Sequence, residues 1–155
     1  MELSRNLKVD SVSRLNPAAP VLIESTATVG VAIDMMQAHK TSCLIVVRGG
    51  KLAGIFTERD LLTRVLALRR SFDFKLSDVM TPDPVTVSPK DSVKTAVKRM
   101  QTGGYRHLPV VDEQSHPVGL LSAKRIVNYL AEHFPATIFN QPPVSGQSPD
   151  TAEGA

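Results

Sequence analysis

Residues 76–111 read LSDVMTPDPVTVSPKDSVKTAVKRMQTGGYRHLPVV, and residues 12–47 read VSRLNPAAPVLIESTATVGVAIDMMQAHKTSCLIVV. Laid over each other at an offset of 64, the stretches align without a gap, and ten of the 36 positions are identical. Among the matches are Pro20-Val21 with Pro84-Val85, Val29 with Val93, Ala32 with Ala96, Met36-Gln37 with Met100-Gln101, and Val46-Val47 with Val110-Val111. After one inserted residue the match resumes at an offset of 65, with Gly54 on Gly119, Ile55 on Leu120 and Phe56 on Leu121. Such a repeat marks related units that stack to bury a face neither can bury alone. One copy of about 60 residues is near the lower limit for an independent core, so the two are expected to pack together.

Each copy carries the same order of elements. Val29, Ala32, Ile33 and Met36 fall at i, i+3, i+4 and i+7, one face of a helix, and Val93, Ala96, Val97 and Met100 repeat the pattern. Ser88-Pro89-Lys90-Asp91 predicts the capped start of the second of these helices. Cys43-Leu44-Ile45-Val46-Val47, the pair Gly49-Gly50 and Leu52-Ala53-Gly54-Ile55-Phe56 predict a β-hairpin with a tight primed turn. Leu108–Val111 and Val118–Leu121 predict its counterpart around a longer loop. A second helix follows each hairpin, with Leu61, Val65 and Leu68 on its inner face in the first copy and Ile126, Val127 and Leu130 in the second. Pro135 is expected to stop the last helix. The expected fold class is α/β (α+β type), built from two strand-helix-strand-strand-helix units.

These patterns divide the chain into an N-terminal arm (1–11), a first repeat (12–70), a linker (71–75), a second repeat (76–134) and a tail (135–155). The tail is rich in Pro, Ser, Gly and Gln without apolar periodicity and is expected to be disordered.

Composition narrows the function. Hydrophobic residues make up 42% of the 155, enough for a packed core. No stretch approaches the roughly 18 apolar residues of a membrane span, and the first residues lack the apolar run of a secretion signal. The single cysteine, Cys43, allows no internal disulfide, so the expected location is the cytoplasm. The net charge of +3 is spread among mixed charges, and only 5% of residues are aromatic with no tryptophan. That pattern argues against a nucleic-acid surface, although a net positive charge keeps it as a third reading. The four histidines, His39, His107, His116 and His133, lack metal-ligand spacing. No nucleophile-base arrangement or Gly-rich phosphate loop stands out, so the chain is not expected to be an enzyme.

The ordered set Leu76-Ser77-Asp78-Val79-Met80-Thr81-Pro82, Pro84-Val85-Thr86-Val87 and Tyr105-Arg106-His107-Leu108-Pro109-Val110-Val111-Asp112, with Gly54-Ile55-Phe56-Thr57-Glu58-Arg59-Asp60, resembles the tandem cystathionine β-synthase (CBS) domain pair, or Bateman module. The resemblance covers roughly residues 9–134. It implies two βαββα units related by a pseudo-twofold axis, with two clefts between them. It also implies an adenine nucleotide such as AMP, ADP or ATP as ligand, no bound cofactor, a homodimer, and a regulated partner protein. With no further domain in the sequence, the output is expected to act in trans.

The resemblance assigns candidate residues as well. Asp60 would accept hydrogen bonds from a ribose diol, and Thr57 would stand near the phosphate at a helix start. Thr57-x-x-Asp60 is equally an N-terminal capping box, and the sequence does not separate the two roles. Arg106 and His107 are the cations that would reach the phosphates from the other repeat. Asn16, Pro17, Ala18, Ile55 and the Ser42-Cys43 turn are the expected adenine slot of this cleft. Cys43 also reads as a small buried hydrophobe, and Arg106-His107 as a solvated turn. In the second copy Ser122 keeps the hydroxyl but Arg125 stands in place of the acid. A second, weaker site would therefore contain Ser122, Arg125 and Met80, and would be empty or hold an anion. The rival reading is a ligand-free dimerisation scaffold.

Overall fold

A computed structural model describes Lys8 and residues 10–133; the expectations for most of the arm, for Pro135 and for the tail lie outside the described residues. The chain opens with a 3-10 turn, Val12–Leu15, and a short strand β1, Leu22–Glu24. Helix α1 spans Val29–His39, with Thr28 accepting from the Val31 N–H at its start. Strands β2 (Cys43–Arg48) and β3 (Lys51–Thr57) form the first hairpin. Its two-residue turn is Gly49-Gly50, at φ of +60° and +79°. Side chains disfavour that left-handed geometry, which explains the glycine pair. A helix follows, labelled α2: an α-helical start, Glu58–Asp60, runs into a π-helical segment, Leu61–Leu66.

The second copy begins with α3 (Leu76–Val79) and the two-residue strand β4 (Thr81–Pro82). It continues with α4 (Val93–Gly103), the hairpin strands β5 (His107–Val111) and β6 (Pro117–Ser122), and α5 (Ala123–His133). The hairpin registers slip at equivalent places, between Val46 and Val47 and between Val110 and Val111.

The repeats are joined by exchange of their leading segments. Strand β4 belongs to the second copy yet pairs with β3 of the first, through Gly54 with Pro82 and Ile55 with Thr81. The reciprocal contact places Ala18 of the first copy antiparallel to Leu120 of the second. Val12 N–H donates to the Asp91 carbonyl at 2.7 Å, and Leu76 N–H to the Ala27 carbonyl at 2.9 Å, two bonds related by the offset of 64. The cores follow the same rule. Val12 and Leu15 are buried with Val93, Met100, Leu108, Leu121 and Tyr129 of the second copy. Leu76, Val79 and Met80 are buried with Val29, Leu44, Phe56 and Val65 of the first. Neither copy closes its core without the other, as the size argument requires.

Four local expectations are corrected, the first being Val97, which is exposed while Val93, Ala96 and Met100 form the buried face of α4. Helix α4 starts one turn later than the Ser88–Asp91 motif, because Ser92 is the cap that accepts from Thr95 N–H. Asp91 instead turns back to accept from Ser88 N–H at 2.8 Å. Leu68 is exposed, because the segment ends in a left-handed residue, Arg69, before completing the face. Val127 is also exposed, since Tyr129 joins Ile126 on the inner face of α5.

Candidate functional site

The site is built where β3 hands over to α2. Thr57 has extended backbone and caps the helix, its Oγ1 accepting from Asp60 N–H at 3.2 Å. Asp60 Oδ2 accepts in return from Thr57 N–H at 3.0 Å and from Thr57 Oγ1 at 3.2 Å. The capping box is thus complete. It does not exhaust the carboxylate, whose other oxygen faces the exchanged segment. Oδ1 accepts from Thr81 Oγ1 at 3.0 Å and stands 3.5 Å from Arg64 Nε. Arg64 Nη1 in turn donates to the Met80 carbonyl at 2.7 Å. Asp60 is only 5% exposed, so a buried charge is held by one helix start and one crossing strand. Burying a carboxylate requires such pairing, and among the described residues every buried side-chain polar atom has a partner.

Thr81 and Arg64 were missed by sequence reasoning. Arg64 lies four residues after Asp60, the helical spacing for an ion pair, and that signal was available. Thr81 becomes a neighbour only through the exchange of segments.

The same exchange corrects the assignment of two candidate groups. Asn16, Pro17 and Ala18 were expected beside Asp60. Asn16 takes a left-handed backbone, and Ala18 exchanges hydrogen bonds of 3.1 and 2.9 Å with Leu120 on the second hairpin. A Cβ on Gly119 would lie 3.2 Å from Pro17 Cβ. Met80 was expected in the second cleft, but it is buried in the first core, against Gly54 of the first hairpin. The two groups change places because each leading segment pairs with the other copy's hairpin.

The remaining candidates sit as follows. Cys43 pairs with Thr57 across the β2–β3 ladder, and its thiol is fully buried with Ile45, Val47, Ile55 and Leu120. Burial, then the Asp60 charge, pushes the thiol pKa up to about 12. A thiol held protonated in this way is no nucleophile, and it behaves as a core residue. Ser42 is half-buried and its carbonyl accepts from Glu58 N–H at 3.1 Å. Ile55 lines the strand opposite Thr81. His107 opens β5 opposite Ser122. Burial, then the Arg106 charge, lowers its pKa, while the Glu58 carboxylate acts against both. Glu58 is two residues before Asp60, so the start of α2 and the start of β5 lie within electrostatic reach of each other. Arg106 is exposed, and its carbonyl accepts from Ala123 N–H at 2.9 Å.

At the second hairpin the box is half built. Ser122 Oγ accepts from Arg125 N–H at 3.0 Å, and no carboxylate returns the bond. Among the described residues, no group of three or more His, Cys, Asp or Glu is placed to hold a metal, and no helix is long and apolar enough to cross a membrane.

The sequence profile of the CBS domain matches this chain twice, over residues 12–67 and 76–132, on the two copies that exchange their leading segments. The chain belongs to the CBS domain family. Its fold is that of a CBS pair. The CBS domain protein of Pyrobaculum aerophilum, solved in complex with AMP, superposes with a TM-score of 0.70 at 25% identity, over 79% of this chain and 99% of that one. Among curated proteins, the meiotically up-regulated gene 70 protein of Schizosaccharomyces pombe is 36% identical over 66% of this chain but only 14% of its own length. The homoserine O-acetyltransferase of Methanocorpusculum labreanum is 33% identical over 69% of this chain and 21% of its own length. The chain thus spans less than a quarter of each of these curated relatives, and what it shares with them is the CBS pair.

Proposed function

We propose that this CBS pair is a regulatory module that senses AMP, ADP or ATP in the cleft at Asp60 and acts on a partner protein in trans. One observation carries the reading: a buried carboxylate stands at the seam between the repeats, where Thr81 of the other repeat donates to it. A carboxylate accepts from a ribose diol, and the Arg106 guanidinium and His107 suit its phosphates. The AMP complex of the Pyrobaculum aerophilum relative supports the ligand class. Arg125 lacks the acceptor chemistry of Asp60, so one nucleotide per chain is expected. Calorimetric titration with AMP, ADP and ATP tests the reading. Saturable heat at one site per chain is expected with at least one of them, and no heat with any, on folded protein, contradicts it.

The module is read as regulatory rather than catalytic, and the free, buried Cys43 suits a reducing cytoplasm. A homodimer is part of the same reading. Leu62 and Val127 are 57% and 62% exposed and occupy equivalent positions, offset by 65, on α2 and α5. Apolar residues repeated about an approximate twofold axis suit a self-complementary contact. Replacing both with Asp should shift sedimentation from dimer to monomer; an unchanged mass would count against this interface.

A further inference from the structure

We propose that Thr81 sets the affinity of the nucleotide site, as an internal competitor for the Asp60 carboxylate. The inference rests on the sensor reading and adds what regulates that site. A carboxylate offers about four acceptor directions. At Asp60 two are taken by the Thr57 N–H and hydroxyl, one by the Thr81 hydroxyl, and one faces Arg64 Nε. A ribose diol brings two further O–H donors and finds the acceptor filled. The Thr57 hydroxyl frees its direction by turning its proton alone, since the two reciprocal N–H bonds hold the capping box, and Arg64 is tethered to the Met80 carbonyl. The Thr81 bond is the contact that a single side-chain rotation releases. It is also the closest mimic of the ligand, a hydroxyl donating to the same oxygen.

The second copy serves as the control. The position equivalent to Thr81 is Pro17, which has no hydroxyl, and the position equivalent to Asp60 is Arg125. Donor and acceptor are present together at one cleft and absent together at the other, although Ser122 keeps its cap there. A hydroxyl that only stabilised the strand would have no reason to follow the acid.

The exchange also gives the nucleotide something to move. Thr81 lies on β4, which joins the repeats through two paired positions and an Asp83 N–H bond of 3.2 Å to the Ala53 carbonyl. Releasing its side chain loosens the seam on the second copy's leading segment. A ligand biases two states only through such differential contacts.

AMP titration of wild type, Thr81→Val and Thr81→Ser separates the possibilities. Val keeps the shape and removes the donor, so AMP is expected to bind about tenfold tighter, the loss of one charge-assisted competitor. Ser restores the donor and should match wild type. A Val variant that binds as wild type does, or more weakly, overturns the competitor role while leaving the sensor reading intact. Should neither wild type nor Val variant bind AMP, ADP or ATP, both readings fall together. Binding by the Val variant alone supports the competitor role. Should the Val variant not fold, Thr81→Ala takes its place with the same expectations.

Discussion

Asp60→Ala is expected to weaken nucleotide binding by more than a hundredfold, whereas Arg125→Ala should change it by less than about threefold. Two hydrogen bonds from a ribose diol to a carboxylate are charge-assisted, each contributing on the order of 1.5–3 kcal/mol, and about 2.7 kcal/mol together is already a hundredfold. Ala removes both. It also removes the reciprocal cap on Thr57 N–H and the acceptor for Thr81, at a stability cost of about 1–2 kcal/mol. Asp60→Asn separates the two effects. Its amide oxygen keeps the cap while its amino group replaces the oxygen facing Arg64, so it should lose less stability than the Ala variant. Its neutral acceptor should weaken binding by about tenfold. If Asp60→Ala binds nucleotide as wild type does while losing stability, the carboxylate is a helix cap alone, and the scaffold reading takes over.

Gly54→Ala is expected to be the most destabilising small substitution in the first hairpin. An added Cβ would lie 2.6 Å from Met80 Sδ and 2.6 Å from the Thr81 carbonyl oxygen. The methionine can swing away, but the carbonyl belongs to a strand paired with this one. Relief requires the seam to open, so the cost should reach about 3 kcal/mol, the upper end for overpacking. For a domain of this size that corresponds to a fall of roughly 10 °C in melting temperature. Gly119 is the internal comparison. An added Cβ there meets Pro17 Cβ at 3.2 Å, a contact tight by a few tenths of an ångström rather than an overlap. Gly119→Ala should cost clearly less. Equal melting temperatures for the two variants would mean that the seam is not the tight contact described.

The fold was legible where the signal is local. The offset of 64, the Gly49-Gly50 turn and the helical spacing of Val29, Ala32 and Met36 all reappear as elements of the structure. The exchange of leading segments was not legible, because pairing of β4 with β3 is a tertiary event across the linker. Every misplaced candidate follows from that one omission. Asn16, Pro17 and Ala18 belong beside Leu120, and Met80 beside Gly54, because chain proximity does not predict which hairpin a leading segment joins. Gly54 and Gly119 held a clue, since a glycine kept in a strand marks close approach of another backbone. The capping box at Thr57 and Asp60 was legible as a motif. That its second oxygen is engaged by Thr81 required the coordinates.

The asymmetry of the two helix starts bears on the proposed regulation. Asp60 is a buried acid clasped by a hydroxyl and a guanidinium, while Arg125 is a half-buried cation without a carboxylate in its cap. Two equal sites would report occupancy symmetrically. On the proposed reading, one site at one seam would give a module with a single switchable joint.

The central claim is that a front-half acid and a rear-half cation hold the same nucleotide. A crystal structure of the full chain with AMP decides it most directly. The account predicts the ribose hydroxyls on Asp60 and the phosphate within hydrogen-bond distance of Arg106 or His107, at one site per chain. AMP bound at Arg125 instead, or at Asp60 with its phosphate pointing away from residues 106 and 107, would contradict it.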